Sequence, residues 1–432
     1  MYLNSIFRIP NIYQKHQRYK IRHPMRISQF SASTHAVSRT ILGNAVLIVN
    51  IFAWYSFATA ILRRIIESSM LTSSEVSLCY TASFLGAVIS LFSGSTLASK
   101  VSNRRLLLSL WIVTSASFSV FPLFLQPATF LGVIVVAFMI SSAFGLGVPA
   151  CMALFAENTI PEDRGRTSAG LLLITFLATF GLRFVMTDDM VVNSIVLLCW
   201  RIASLGAIPF VKPQRKNAGG NKTSFVSILA SRPFCLYLAP WAIFSLVNYF
   251  AWSISMSVLG AEFVQLTTIA ESVIVGVFAV AAGFMADIVG RKRTLMVGFV
   301  LFGLGYAILG VAPSSVLSWY FYTVVDGVAL GIFYVIFLFT VWGDLAHEKQ
   351  SEKHYAIGIL PYSLSSFLHL TVGSAVAEAI SPYAIFSFAA FFLFLAVVPL
   401  MYAPETLPEK TLKDRELRMY VEKAMQRKEK YA

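Results

Sequence analysis

Charged residues are scarce in this sequence, and their scarcity excludes an ordinary soluble protein. Of its 432 residues, 13% are charged and 57% are hydrophobic, and the mean hydropathy is +0.72. Soluble domains carry about 25% charged residues. Apolar runs recur along the chain, each close to the roughly twenty residues that an α-helix needs to cross a bilayer core of about 30 Å. The composition therefore predicts an all-α membrane protein with many transmembrane helices.

Cysteines are few, and the common cofactor motifs are missing. The four cysteines lie in apolar runs without CxxC or Cys/His spacing, which is typical of packed side chains and not of metal ligands. No ATP-binding loop of the form GxxxxGKS/T occurs. The apolar runs also lack the clustered carboxylates or metal-spaced histidines that a membrane enzyme would need. We therefore predict no metal site, no cofactor and no enzymatic activity.

What the sequence does contain is twelve apolar runs in two sets of six, separated by a polar stretch. The seventh run, 234–257, and the eighth, 267–288, are predicted to be joined by a loop. The predicted divisions are an N-terminal tail (1–39), a first six-helix half (40–211), a linker (212–233), a second half (234–403), and a C-terminal tail with an amphipathic helix (404–432).

Basic residues predict the orientation, because Lys and Arg are retained on the cytoplasmic side. With the N-terminus inside, nearly all of the 34 Lys and Arg residues fall in the tails and the inside turns. We therefore predict a multi-pass plasma-membrane protein with both termini cytoplasmic. The net charge of +13 is then directed at membrane lipid and not at nucleic acid.

Two stretches of sequence recur between the halves. The pentapeptide NIFAW begins at Asn50 and NYFAW begins at Asn248, while TLASKVSNRR, from Thr96, aligns with GFMADIVGRK, from Gly283. Such a parallel repeat relates the halves by an axis along the membrane normal, with the substrate site near the midplane between them.

Here the residues point to a family. The run Gly283-x-x-x-Asp287-x-x-Gly290-Arg291-Lys292 resembles the signature loop of the major facilitator superfamily. Glu157 with Arg164-Gly165 is similar to the motif that follows the fourth helix in that superfamily, and Pro404-Glu405-Thr406 is similar to the exit motif of its sugar-porter branch. The resemblance implies twelve helices and transport of a small-molecule substrate by alternating access, as a monomer. Only a leaning to the sugar-porter branch follows, and no substrate is assigned.

The resemblance also implies a cytoplasmic gate. The signature acid, Asp287, is expected at the start of span 5 in the other half. In the first half the acidic position is occupied by Lys100, and we predict a latch of reversed polarity between Lys100 and acids at the start of span 11, Glu348 and Glu352. The alternative is that Lys100 extends to lipid phosphate. The predicted gate residues are Lys100, Arg104, Glu157, Arg164, Gly283, Asp287, Gly290, Arg291, Lys292, Asp344 and Glu352, with Arg104 paired to Glu157 and Arg291 to Asp344.

Polar residues inside membrane spans are candidates for function. Asp326 in span 10 and His369 in span 11 are predicted at similar depth, where they can pass a proton or form a static pair. Asn50 and Asn248, with Trp54 and Trp252 one turn away, can line the cavity or only pack helices together. Glu271 is expected near an outer span end, in contact with water. Arg201, in span 6, has no predicted partner.

These residues favour a proton-coupled import symporter. The alternatives are an efflux antiporter for apolar or cationic compounds and a non-transporting membrane sensor on the same scaffold. The possible coupling ion is a proton or another ion.

Overall fold

The computed structural model describes residues 27–124, 129–212, 223–248, 250–346 and 351–408, with side chains from residue 39 onward except for six helical positions, Phe250, Trp252, Ser253, Ser257, Ser374 and Ala377. The contacts divide the described chain after Arg39, into residues 27–39 and residues 40–408. Of residues 1–39, the structure describes residues 27–39, which are helical. Glu348 and the predicted amphipathic helix of the C-terminal tail lie outside the described residues.

The two halves consist of helices. The first half contains α1 (Ile27–Ser68), α2 (Ser73–Lys100), α3 (Arg104–Phe118), α4 (Phe130–Asn158), α5 (Arg164–Arg183) and α6 (Met190–Ala203). After a short α7 (Phe225–Leu229), the second half contains α8 (Arg232–Val247), α9 (Phe250–Ile288), α10 (Arg291–Val311), α11 (Val316–Phe333), α12 (Val341–Ala346), α13 (Ser351–Thr371), α14 (Gly373–Ala379), α15 (Pro382–Leu395) and α16 (Val397–Tyr402).

Ten segments of the described chain are helical, long and apolar enough to cross a membrane. The helix α8 is apolar but shorter, and α13 carries more polar residues, and these two complete the predicted twelve spans. Several helices begin at side-chain caps. For example, the Glu75 carboxylate accepts a hydrogen bond from the Thr72 backbone N–H at 2.8 Å, while the Thr72 hydroxyl accepts one from the Glu75 N–H at 3.4 Å.

Small residues allow close helix packing inside the first half. A Cβ atom added to Gly86 of α2 would lie 2.5 Å from the Phe138 carbonyl oxygen of α4, and one added to Gly145 would lie 2.8 Å from that of Ala87. Such approach of small residues is how helices pack in lipid, where the hydrophobic effect does not drive them together.

The packing between the halves follows the predicted pseudo-twofold. The second span of each half contacts the fifth span of the other, since α2 packs on α13 and α5 packs on the part of α9 that follows Gly260. The fold class predicted from the sequence, an all-α membrane protein of two six-helix halves, is confirmed.

The predicted boundary between spans 7 and 8 is wrong. Span 7 consists of α8 and the first residues of α9, interrupted next to Asn248, and residues 261–266 are helical instead of forming a loop. The chain reverses at Gly260 alone, whose φ of 82° is readily adopted only by glycine. Span 10 contains another irregularity, a π-helical turn from Tyr334 to Thr340 between α11 and α12. Such turns frequently occur at functional sites.

Candidate functional site

Asp287 lies at the start of the helix expected for it. Its side chain is fully buried on α9, and its two carboxylate oxygens accept hydrogen bonds from the backbone N–H groups of Gly165 at 2.9 Å and Arg166 at 2.8 Å. These N–H groups belong to the first turn of α5, where a helix has no internal acceptors for them and carries partial positive charge. Asp287 therefore joins the second half to the first.

Glycine makes this contact possible. A Cβ atom added to Gly283, one turn before Asp287, would lie 2.5 Å from the Cβ of Ala169 and 2.6 Å from the Gly165 carbonyl oxygen. The signature glycine therefore allows α5 and α9 to cross with their backbones in near contact. Gly290 serves a different purpose, because its φ of 112° turns the chain from α9 into α10.

A buried ionic network continues from Asp287. Arg291, also fully buried, lies 3.3 Å from Asp287 and 3.1 Å from Asp344. Asp344 forms an ion pair with Arg164 of the first half as well. One carboxylate therefore bridges two arginines that come from different halves.

The predicted exit motif, Pro404-Glu405-Thr406, contacts this network. The Glu405 carboxylate accepts hydrogen bonds from the first N–H groups of α10, from Arg291 at 2.8 Å and Lys292 at 3.2 Å. The Thr406 hydroxyl donates to Asp344 at 3.1 Å. The ammonium of Lys292 donates to the Met401 carbonyl at 2.7 Å. Residues just after span 12 thus hold both the start of α10 and the bridging acid.

The first half carries its own ionic cluster, centred on Arg104. The guanidinium makes two hydrogen bonds to the Glu157 carboxylate, at 2.6 and 2.7 Å, and its Nη2 also lies 3.5 Å from Glu352 of the second half. We call the seven buried or half-buried residues of the two clusters the gate layer: Arg104, Glu157, Arg164, Asp287, Arg291, Asp344 and Glu352.

The predicted pairing of Lys100 with Glu352 is wrong. Lys100 ends α2 with its side chain exposed, in a shallow apolar groove with Phe92 and Leu97. Arg104, which begins α3, is 6% exposed and faces the acid instead. The reversed polarity itself is present, because Glu352 lies in the first turn of α13 and meets a cation from the first half.

A cavity of about 310 Å³ lies elsewhere in the bundle, and every described residue that lines it belongs to the second half. The wall consists of the broken span 7, α9, α11, the start of the π-helical turn and α13. Its polar residues include Asn248, Glu271, Tyr322, Asp326, Tyr362 and His369. Asp326 and His369, predicted at similar depth, therefore border the same space.

Asp326 is the most buried acid of this cavity. It is 5% exposed, its neighbour is the Tyr322 hydroxyl, and its Oδ1 atom has no hydrogen-bond partner in the structure. Glu271 is close enough for the two carboxylates to repel each other. Glu271 was expected in water because span 8 was predicted to begin at residue 267. Since the helix continues back to Gly260, Glu271 lies well inside the bundle.

Asn248 borders the cavity at the break in span 7, directly after α8. The Tyr306 hydroxyl donates to the Val247 carbonyl at 3.2 Å and lies 3.5 Å from that of Asn248. The Tyr306 hydroxyl thereby supplies a hydrogen-bond partner for a backbone carbonyl at the point where the helix is interrupted. The side chain of Trp252 is outside the described part of the structure.

Of the two alternatives for Asn50 and Trp54, cavity lining and helix packing, the contacts of the described structure agree with packing. Both are buried within the first half, where the Asn50 amide donates to the Trp200 carbonyl at 2.5 Å and the Trp54 indole N–H donates to the Ser119 hydroxyl at 2.8 Å. The Trp200 indole N–H donates back to the Asn50 carbonyl at 3.0 Å. These contacts join span 1 to spans 3 and 6.

The partners of Arg201 explain why Asn50 turns away from the cavity. The fully buried guanidinium donates to the Asn50 side-chain oxygen at 2.7 Å and to the Ser115 hydroxyl at 2.6 Å. It also stacks 4.1 Å from the centre of the Trp111 ring. All of these partners are neutral.

No group of three or more His, Cys, Asp or Glu residues that could hold a metal ion occurs within the described ranges.

Comparisons with known proteins support the fold and the motifs. The family model "Major Facilitator Superfamily" matches residues 234–424. No curated protein sequence matches the chain.

Solved structures match almost the whole bundle. The E. coli fucose:proton symporter has a TM-score of 0.67 at 12% identity, covering 84% of this chain and 99% of the symporter. A bacterial homologue of the iron transporter ferroportin, in an outward-facing state, has a TM-score of 0.65 at 13% identity, covering 85% and 98%. A proton:xylose symporter of the major facilitator superfamily has a TM-score of 0.60 at 14% identity, covering 87% and 97%.

The second half of this chain therefore matches the major facilitator superfamily, and the whole bundle has the fold of that superfamily. The comparisons confirm the predicted fold and a multi-pass membrane architecture. They also confirm the resemblance to the major facilitator superfamily that the motifs indicated. The leaning to the sugar-porter branch stays a prediction, because the likeness to sugar symporters is one of fold.

Proposed function

We propose that this chain is a proton-coupled secondary active transporter that binds its solute in the second-half cavity and carries the proton on Asp326. The observation that carries the proposal is the buried Asp326 carboxylate, whose Oδ1 has no hydrogen-bond partner and which borders a cavity together with Glu271 and His369. Acids inside membrane spans mark proton pathways because they are costly to keep there.

Alternating access requires that one end of the bundle closes while the other opens. The gate layer supports this role, because its ion pairs and the Asp287 contact cross between the halves. We propose that this end is cytoplasmic, as the distribution of Lys and Arg predicts, with residues 1–39, 212–233 and 404–432 on the same side. The described conformation is then the outward-facing one.

The proton-carrying role rests on the surroundings of Asp326. When two carboxylates lie close enough for their negative charges to repel each other, the pair binds a proton or another cation more readily than either carboxylate does alone. His369 adds an imidazole, a group that can bind and release a proton, to the same cavity wall. The cavity thus offers two acids and one imidazole that can exchange protons with an incoming solution.

Import driven by inward proton flow is the first candidate direction. The second candidate is exchange, in which an outgoing solute and an incoming proton occupy the acids alternately. The position of Glu271 near Asp326 supports this exchange mechanism. The same pair of acids can bind the solute in one step and the proton in the next.

Proteoliposome transport tests the proposal. A pH gradient, acidic outside, is expected to accelerate solute uptake by the wild-type chain in a symporter, or solute exit in an exchanger. Asp326→Asn cannot ionise at this position and is expected to abolish the response to the gradient.

Glu262→Gln is the matched control, because Glu262 is an exposed acid on the same helix as Glu271 and does not line the cavity. It should retain the wild-type response. Gradient-driven transport that persists unchanged in Asp326→Asn would remove Asp326 from the coupling step.

A further inference from the structure

The ionisable side chains on the cavity wall are two acids and one imidazole. Glu271 and Asp326 line the wall, and among the described lining residues there is no lysine or arginine. The one basic side chain that borders the space is the imidazole of His369, which is half-buried. An anionic solute would therefore meet two carboxylates and no fixed cation.

One of these acids has an unfilled hydrogen-bonding site. Asp326 is 5% exposed, and its Oδ1 atom has no hydrogen-bond partner within the structure. A buried polar atom left in this condition is costly, and native proteins nearly always supply a partner. Asp326 itself lines the cavity, so a ligand bound there can supply the missing partner.

Aromatic rings form much of the remaining wall. Trp319, Tyr322, Tyr334 and Tyr362 all border the space, and the rings of Tyr334 and Tyr362 stand edge to face with centroids 6.1 Å apart. The face of an aromatic ring attracts a cation, and the attraction grows when the cation is desolvated. Such a wall suits an ammonium group that carries carbon substituents better than it suits a hydrated metal ion.

Backbone carbonyls add to the same field. The helix α8 ends at Val247, and Asn248, which follows it, borders the cavity. The C-terminal end of a helix carries partial negative charge on its last carbonyl groups, although here the Val247 carbonyl also accepts a hydrogen bond from Tyr306. In broken helices of membrane transporters, such ends contribute to cation sites.

We propose that the second-half cavity binds small organic cations, namely alkylated ammonium ions with an apolar or aromatic body. The acids neutralise the charge, the rings cover the alkyl groups, and the end of α8 adds carbonyl dipoles. A volume of about 310 Å³ holds roughly ten waters at about 30 Å³ each, which is room for a small aryl ammonium ion. The inference deepens the proposed function, since it names the solute class of the same site.

Binding to the full-length chain in lipid nanodiscs, without any gradient, tests the inference. Phenyltrimethylammonium is compared with tert-butylbenzene, its neutral isostere, and with benzenesulfonate, an anion of similar size. The ammonium ion is expected to raise the thermal unfolding midpoint progressively as its concentration increases, because it binds only the folded protein. The neutral and anionic compounds are expected to leave the midpoint unchanged.

Two substitutions locate the site. Glu271→Gln and Asp326→Asn are each expected to weaken ammonium binding at least about tenfold. Glu262→Gln, which removes an exposed acid from the same helix as Glu271, should bind as the wild type does.

A measurement on the wild-type chain avoids dependence on variant folding. Dicyclohexylcarbodiimide labels carboxyl groups in apolar surroundings, and peptide mass spectrometry reports its attachment to Glu271 and Asp326. Phenyltrimethylammonium is expected to slow this labelling severalfold, whereas tert-butylbenzene is not.

The outcomes separate this inference from proton coupling. Equal effects of the ammonium ion and its neutral isostere, or no protection of either carboxyl group, would overturn the cation site while leaving gradient-driven transport untouched. Selective ammonium binding that persists when transport does not respond to a pH gradient would support the cation site and refute the coupling.

Discussion

An asparagine in a membrane helix is costly unless its amide finds partners, and Asn50 and Asn248 lie in different surroundings. Asn50 holds the guanidinium of Arg201 and the backbone of Trp200 inside the first half. Asn248 stands where span 7 is broken and borders the cavity. The same pentapeptide therefore supplies a packing residue in one half and a cavity residue in the other. The difference comes from Arg201, which lies on span 6 and requires neutral oxygen acceptors.

This difference can be measured by one substitution made twice. Asn50→Ala removes an acceptor from a buried guanidinium and is expected to cost about 1–3 kcal/mol of stability. Asn248→Ala leaves no buried charge without a partner and is expected to lower thermal stability less, while weakening solute binding more. Thermal unfolding in detergent, together with solute binding, reports both effects. Equal losses of stability in the two variants would mean that the repeat has one structural role after all.

At the level of the helix, the crossing of α5 and α9 depends on the absence of side chains. Gly283→Ala is expected to force the helices apart, because its Cβ would lie 2.5 Å from that of Ala169. Asp287 then loses its hydrogen bonds to the first turn of α5, and this end of the bundle opens more often. Distances between spin labels on the ends of α5 and α9, measured by pulsed electron paramagnetic resonance, are expected to shift toward longer values.

Gly276→Ala is the matched control on the same helix. Its added Cβ would meet only Leu173 Cδ1, at 3.6 Å, which is an ordinary contact. Both substitutions favour the helix equally, so a difference between them isolates the crossing. A distance distribution for Gly283→Ala that matches the control would show that α5 and α9 tolerate separation without loss of the gate.

The sequence predicted the membrane-spanning helices far better than the breaks and turns between them. Hydrophobic run length was sufficient for the twelve spans, and the family resemblance was sufficient for the position of Asp287 at the start of α5. The run that ends span 7 and begins span 8 could not be divided correctly, because a single glycine, Gly260, makes the reversal without a polar loop. That error moved Glu271 to the surface in the prediction. The choice of Arg104 over Lys100 depends on which side chain turns inward, and residue type alone does not determine this.

Across the whole molecule, the gate layer holds the two halves together at two points with opposite polarity. Besides the ion pair of Arg164 with Asp344, two contacts lie at helix starts. At one of these points an acid of the second half, Asp287, meets a helix start in the first half. At the other, Arg104 of the first half meets Glu352 at a helix start in the second half. In the proposed function this layer opens and closes, so its two states must differ by only a few kcal/mol.

Neutralising the two candidate cations in turn tests which of them closes the second point. Arg104→Gln leaves Glu352 buried, with 1% of its side chain exposed, and leaves Glu157 without its arginine. Removal of one partner from a buried pair costs about 3–5 kcal/mol, so the closed state is expected to lose population. Lys100→Gln changes an exposed side chain and is expected to shift stability by less than about 0.5 kcal/mol.

Spin labels on the turn between α2 and α3 and on the start of α13 report the separation of the halves. The label distance should lengthen in Arg104→Gln and stay unchanged in Lys100→Gln, whereas opening by Lys100→Gln alone would restore Lys100 as the latch.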